Sequence, residues 1–227
     1  VSMERLLDIF FSGLALVILF PFMIPIIIIL KCSGEGEVFF AQERVGKKGK
    51  IFKLLKFATM LKDSPNIGTG SVTMRDDPRI LPFGNFLRKT KINEIPQLLN
   101  IFMGDMSVIG PRPLTVETFR FYSIHTQAII KQVRPGLSGI GSIIFRDEES
   151  IMQGKNASLD FYDSVIIPYK GALEEWFVSN RSLSIYFLAI FITLWAVLLP
   201  STKVAWLVFT DLPEPPQELK TTLNYRD

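Results

Sequence analysis

The stretch "LRKTKINEIPQLLNIFMGDMSVIGPRP" gathers residue types that handle phosphate groups. Arg88 comes first, then the adjacent pair Asn93 and Glu94, then Asp105 in "GDMS", and last Arg112 between Pro111 and Pro113. The flanking prolines stiffen the backbone and so fix the direction of the planar Arg112 guanidinium. Arginine forks suit phosphate oxygens, while carboxylates suit Mg²⁺ or nucleophilic attack. Together they are the ingredients of phosphoryl transfer at a membrane. The acidic pair also has a plainer reading. Asn93 would cap a helix starting here, Glu94 would sit in a first turn whose dipole favours negative charge, and Pro96 is tolerated before backbone donors are needed.

Other chemistries lack their parts. Cys32 is the single cysteine and His125 the single histidine, so zinc sites and Cys–His or Ser–His catalysis are excluded. Any acid, base or nucleophile must come from Asp, Glu, Lys, Tyr or a hydroxyl. One cysteine also rules out an internal disulfide and fits a reducing compartment. The formal charge of +3 over 227 residues gives no whole-chain field, so nucleic acid is not an expected partner. The basic residues are uneven, however. Arg44, Lys47, Lys48, Lys50, Lys53, Lys56 and Lys62 occur without an acidic residue among them. That run reads as a solvated charged face or as a patch for anionic membrane lipids, each near-surface cation contributing about 1 kcal/mol.

The elements that must position these residues begin with "IFFSGLALVILFPFMIPIIIIL", charge-free between Asp8 and Lys31. Roughly 20 apolar residues suffice to cross a bilayer, so this segment belongs in lipid. It is long and has no small-x-small cleavage site, which argues against a removed signal peptide. Pro21 and Pro25 each delete a backbone donor, so both a simple span and a dip-and-return are open. Basic residues near both ends leave sidedness undecided. Next comes a strand, a turn near Gly46 to Gly49, and a second strand. A long Ser/Pro/Gly-rich loop follows from Leu61 to Arg79, then a helical run through "EIPQLLNIFM" stopped by Gly104. "DFYDSVIIPYKGALEEWFV" reads as one or two amphipathic helices suited to an interface. A second charge-free run, Ser182 to Thr202, fits a span, an interfacial helix or a core helix, and a second copy could pack on it as a homodimer. The tail from Asp211 reads as extended and weakly ordered.

Three blocks, "FFAQERVGKKGKIFKLLKFATM", "LRKTKINEIPQLLNIFMGDMSVIGPRP" and "VRPGLSGIG", stand in an order that resembles the bacterial sugar transferases, the monotopic polyprenyl-phosphate phosphoglycosyl transferases. The likeness runs from the membrane helix to about Arg146. It implies an α+β enzyme with a re-entrant helix (1–31) broken at Phe20-Pro21, a cytoplasmic catalytic domain (32–181), and a C-terminal apolar helix and tail (182–227). It implies residence in the bacterial inner membrane with the site on the cytoplasmic face. The implied reaction moves a sugar 1-phosphate from a nucleotide sugar, with uridine expected, to polyprenyl (undecaprenyl) phosphate. It proceeds with Mg²⁺ through a covalent phosphosugar–enzyme intermediate and starts glycan, exopolysaccharide or O-antigen synthesis. On this reading Glu94 and Asn93 are catalytic, Arg88, Arg112 and Arg146 bind substrate phosphate, and Asp105 and Glu94 hold the metal.

The departures carry information too. The family usually has Asp-Glu where this chain has Asn93-Glu94, with the Asp as nucleophile. An amide cannot take that role, which leaves Glu94 as the attacking group or the chain as a weakly active or inactive membrane scaffold. Ala58 stands where a basic residue is usual, and "GIGSIIFRDEE" replaces a common Gln-Val-Asn-Gly-Arg run, with Arg146 still at the arginine.

Overall fold

The computed structural model describes residues 2–64, 77–146, 148–151, 158–199 and 203–225, so most of the loop read from Leu61 to Arg79 lies outside them. Helix α1 spans Met3–Cys32, started by Ser2, whose hydroxyl accepts from the Arg5 amide. Pro21 and Pro25 lie inside it without ending it; the break expected at Phe20-Pro21 is spanned by continuous helix. Strands β1 (Phe39–Val45) and β2 (Ile51–Phe57) pair antiparallel from Phe39↔Phe57 to Val45↔Ile51, around a 3₁₀ turn at Lys47–Gly49, as the sequence suggests. Then come α2 (Pro82–Lys89), a 3₁₀ turn at Ile92–Glu94, and α3 (Gln97–Met103), which ends on Gly104 at φ +100°. That left-handed conformation is one glycine adopts without steric cost.

Strand β3 (Ser107–Ile109) pairs in parallel with β4 (Gly136–Ser138), and α4 (Val116–Phe121) and α5 (Ile124–Ile130) form the crossover. Helical segments α6 (Ile140–Ile144), α7 (Glu148–Ile151) and α8 (Leu159–Phe161) lead through a π turn at Tyr162–Ile166 into α9 (Ile167–Ser179). The chain closes with α10 (Leu183–Leu198), α11 (Lys203–Val208) and α12 (Gln217–Lys220).

The main core gathers around α9, whose Ile167, Tyr169, Leu173 and Phe177 are buried. The sequence suggests an interfacial segment, but Lys170 and Glu174 are themselves buried, Lys170 pairing with Glu148 and Glu174 facing the Arg112 amide through one oxygen. The C-terminal stretch also differs from the extended tail expected of it. Leu212, Leu219 and Leu223 join the same core, and Trp206 Nε1 donates to the Leu223 carbonyl at 3.0 Å. Three apolar side chains at wide spacing fix a short segment that no local pattern marks.

Both halves of α1 dock on this one domain. Near its start, Arg5 donates to the Phe102 carbonyl at 2.7 Å and so caps the end of α3, while Asp8 is buried against β3. Near its end, Met23 and Leu30 form a cluster with Phe57 and Leu87. Between them, Val17, Phe20 and Phe22 are exposed. Asp8 Oδ1 accepts from Ser107 Oγ, the Val108 amide and the Tyr186 hydroxyl, each at 2.9 Å. Charge-assisted hydrogen bonds of this kind contribute roughly 1.5–3 kcal/mol each, and stranding their donors costs more. Asp8→Ala is therefore expected to lower stability by about 3 kcal/mol or more, whereas Glu4→Ala, which removes a partly exposed pair with Arg181, costs below about 1 kcal/mol. Thermal unfolding of the two variants in detergent separates these values.

Candidate active site

The turn that carries Asn93 and Glu94 is tighter than an α-helix start. Lys91 adopts a left-handed conformation at φ 60°, and the Glu94 amide bonds to the Lys91 carbonyl at 3.0 Å. Pro96 has no N–H, so the α-helix begins only at Gln97. The expected cap role for Asn93 is thus not taken up: its side chain turns inward, 6% exposed, and its Oδ1 has no hydrogen-bond partner among the described residues. Glu94, one step round the turn, faces outward with 21% of its side chain exposed. The step of about 120° per residue in a 3₁₀ turn is what separates an amide in the core from a carboxylate at the surface.

Asn100 fixes α3, and with it this turn, to β2. Its Oδ1 accepts from the Leu55 amide at 3.0 Å and its Nδ2 donates to the Lys53 carbonyl at 2.9 Å, as a paired strand would. Lys56 is thereby brought to Glu94, with Nζ 3.9 Å from Oε1. Around them, Arg44, Gln97, Arg112 and Pro113 line a shallow hollow floored by Leu54 and Leu137. Arg44 Nη1 donates to the Pro113 carbonyl at 2.9 Å and Nη2 to Gln42 Oε1 at 2.6 Å, tying β1 to the Pro-Arg-Pro segment. That segment leaves β3 through Gly110, where a Cβ would lie 2.5 Å from the Arg134 carbonyl; only glycine permits this approach.

The cations outnumber the carboxylate. Burial pushes the Lys56 ammonium down to about 8, opposed by Glu94 and reinforced by Arg112, Arg44 and Arg88. Lys56 keeps 22% of its side chain exposed, so water tempers this effect. Burial and the Arg112 charge push Arg44 down to about 10. The field of Arg88 reaches this group, although its nearest contact is Met60 Sδ at 3.8 Å. Behind the hollow, the Arg112 amide points to Glu174 Oε1 at 3.4 Å. Glu174 Oε2 has no partner among the described residues, and burial pushes the carboxyl up to about 7 against the Arg112 amide and Lys170.

Glu94 and Arg112, grouped by the sequence, both line this hollow. Asp105 follows the C-terminal end of α3 while Glu94 precedes its N-terminal end, with seven helical residues, about 10 Å of helix, between those ends, and Asp105 is not among the residues lining the hollow. Arg146, in the turn after α6, is not among the residues lining the hollow. Arg44 and Lys56 were read only as part of a basic run. The signal that could have found them is β-alternation, since Lys47, Lys48, Lys50 and Lys53 are exposed while Arg44 and Lys56 are half-buried. Lys56 also supplies a cation near the place where Ala58 removes one.

No cluster of three His, Cys, Asp or Glu side chains occurs among the described residues. A Mg²⁺ ion is typically held by one or two carboxylates together with substrate phosphates. Glu94, in the hollow, fits such an arrangement.

Comparison with known proteins shows the family of the chain. The model of the bacterial sugar transferase family matches residues 1–200. The exopolysaccharide production protein ExoY of Sinorhizobium fredii is 32% identical over 161 residues, 65% of this chain and 71% of that protein. A putative undecaprenyl-phosphate N-acetylgalactosaminyl 1-phosphate transferase of Bacillus subtilis is 45% identical over 114 residues, 49% of this chain and 62% of that protein. The UDP-glucose:undecaprenyl-phosphate glucose-1-phosphate transferase of Escherichia coli is 33% identical over 162 residues, 70% of this chain but 35% of that longer protein. With its motifs assembled around one carboxylate and several cations, and the family model covering most of its length, the chain belongs to the bacterial sugar transferase family.

Proposed function

We propose that this chain transfers a sugar 1-phosphate from a UDP-sugar to undecaprenyl phosphate at the cytoplasmic face of the bacterial inner membrane, starting glycan assembly. The observation that carries this reading is Glu94 exposed in a hollow with Lys56, Arg44 and Arg112 around it. Names of relatives that act on undecaprenyl phosphate support it. Docking of both halves of α1 on one domain supports a helix whose two ends stay on one side of the membrane, because a span would carry one end across a hydrocarbon core of about 30 Å.

The steps follow from the charges. Arg112, Arg44 and Lys56 hold the diphosphate oxygens, as guanidinium and ammonium groups do. The Glu94 carboxylate attacks the phosphorus attached to the sugar; the new O–P bond forms as the bond to the bridging oxygen breaks, and uridine monophosphate leaves with that electron pair. An oxygen of undecaprenyl phosphate then attacks the same phosphorus and releases Glu94. Glu94 would hold a Mg²⁺ ion together with substrate phosphate oxygens, and the ion would neutralise phosphate charge there. Asn93, buried behind, keeps the turn packed and leaves Glu94 as the outward-facing carboxylate.

The amide at Asn93 favours one other reading, a non-catalytic scaffold that binds undecaprenyl phosphate. Release of uridine monophosphate from a panel of UDP-sugars, with Mg²⁺ and lipid phosphate, decides between them. On the catalytic reading Glu94→Gln lowers release by at least about a thousandfold, while Asn93→Asp retains or raises it. No release by the unaltered chain with any UDP-sugar leaves the scaffold. A pH profile tests Lys56: because its charge is lost through about pH 8, activity is expected to fall as pH rises through that value. Lys56→Arg should keep the charge and move this decline to higher pH. An unchanged profile would remove Lys56 from the phosphate-binding group.

A further inference from the structure

The charge of Arg112 bears on a second polar cluster besides the hollow, and phosphate transfer leaves that cluster without a task. Glu148 of α7 accepts from the Lys170 ammonium of α9 on both oxygens, at 2.9 Å and 3.0 Å. Lys170 is enclosed, its side chain 7% exposed, with its ammonium 5.4 Å from the centroid of the Phe145 ring. Glu148 keeps 30% of its side chain exposed, and Tyr162 bears on the same carboxylate. Glu174, fully buried behind Arg112, cannot touch a ligand; Glu148 can.

Holding two helices together does not account for this cluster. Burying an ammonium costs several kcal/mol that its partner barely repays, and apolar side chains of similar size serve as well. Tyr162 also opens the π turn Tyr162–Ile166, an uncommon geometry that recurs at functional sites. Although burial pushes the Glu148 carboxyl up, Lys170 and Arg112 hold it below its ordinary value, so it stands ready as a charged acceptor. Burial first, and the Glu148 charge after it, keep the Tyr162 phenol above its ordinary value, so it retains its proton as a donor. A charged acceptor beside a neutral hydroxyl donor is a pairing that suits hydroxyl groups.

We propose that Glu148, positioned by Lys170, binds ring hydroxyls of the donor's hexose and so determines which sugar is transferred. The inference rests on the transfer reading and deepens it. The cations of the hollow cannot choose among hexoses, because every UDP-sugar presents them with the same diphosphate. A donor held by its diphosphate at Arg112 has two ends still to place, a flat base and a polyhydroxylated ring. Arg112 also borders a slot lined by Val45, Pro111, Leu114 and Phe119, which is apolar and suits the base. The Glu148 cluster, charged and partly open, suits the ring, and hydrogen bonds to a carboxylate are the stronger kind.

The test measures uridine monophosphate release by the full chain from a panel of UDP-hexoses and from deoxy forms of the best donor, each lacking one ring hydroxyl. Inhibition by added uridine monophosphate is read alongside. With the unaltered chain, at least one deoxy donor is expected to lose about a hundredfold or more in kcat/KM. Glu148→Gln is expected to cost the parent donor a similar loss, and its deficit narrows to below about tenfold on that deoxy donor, because the two changes remove the same contact. Inhibition by uridine monophosphate, which carries a ribose and no hexose, stays within about threefold. Should Glu148→Gln fail to fold, Glu148→Asp keeps a charge for Lys170 while drawing the carboxylate back, and the same narrowing is expected of it. Equal losses on the parent and every deoxy donor overturn the proposal and leave the pair a structural role. Inhibition that weakens in step with the parent donor overturns it in favour of a contact to the ribose. If the unaltered chain releases uridine monophosphate from no UDP-sugar, the transfer reading itself fails and this proposal with it.

Discussion

A single buried carboxylate oxygen joins the three parts of this protein. Asp8 lies in the second turn of a helix that is charge-free from Ile9 to Leu30, and it is 1% exposed, where an unpaired charge would be prohibitive. It is tolerated because one donor comes from the helix-10 side, at Tyr186, and two come from β3, at Ser107 and Val108. From β3 the chain passes through Gly110 directly into Arg112. The element that enters lipid and the arginine that faces the hollow therefore share one rigid frame. Arg5 adds a second tie by capping α3, the helix that follows Glu94. In the reaction proposed for this chain, a lipid-borne substrate and a soluble one meet at a fixed height above the membrane, and this frame would set that height.

The hollow itself is electrostatically unbalanced. One carboxylate, Glu94, stands among Lys56, Arg44 and Arg112, with the field of Arg88 adding to theirs. Burial first, and their mutual repulsion after it, lower Lys56 and Arg44 from their ordinary values. Such an arrangement is costly when empty and is relieved by a ligand carrying several negative charges, which is how perturbed groups mark functional sites. A diphosphate meets that requirement.

How far the sequence alone revealed this depends on whether a feature is local. The lipid segment shows in composition, the β1–β2 hairpin in alternation around glycines, and the end of α3 in Gly104. The Asn93–Glu94 geometry did not show, because Pro96 and a left-handed Lys91 convert an expected helix start into a 3₁₀ turn. Asp105 and Glu94 stand at opposite ends of α3, which linear spacing alone does not show. Arg44 and Lys56 were hidden in a run of like charges, since a strand sends neighbouring residues to opposite faces and sequence proximity says nothing of which face is the site. Asn100 and Glu174, which hold the site from behind, act through contacts 47 and 62 residues away that no local pattern encodes.

The claim on which the account turns is that Glu94 is the attacking group. Incubating the chain with a UDP-sugar in the absence of lipid phosphate, quenching rapidly in acid, and mapping the modified peptide by mass spectrometry tests it directly. The account predicts a phosphosugar on the peptide containing Glu94, absent from Glu94→Gln and discharged when undecaprenyl phosphate is added. A phosphosugar on another residue, such as Asp105, or full turnover with no covalent species at any time would contradict it.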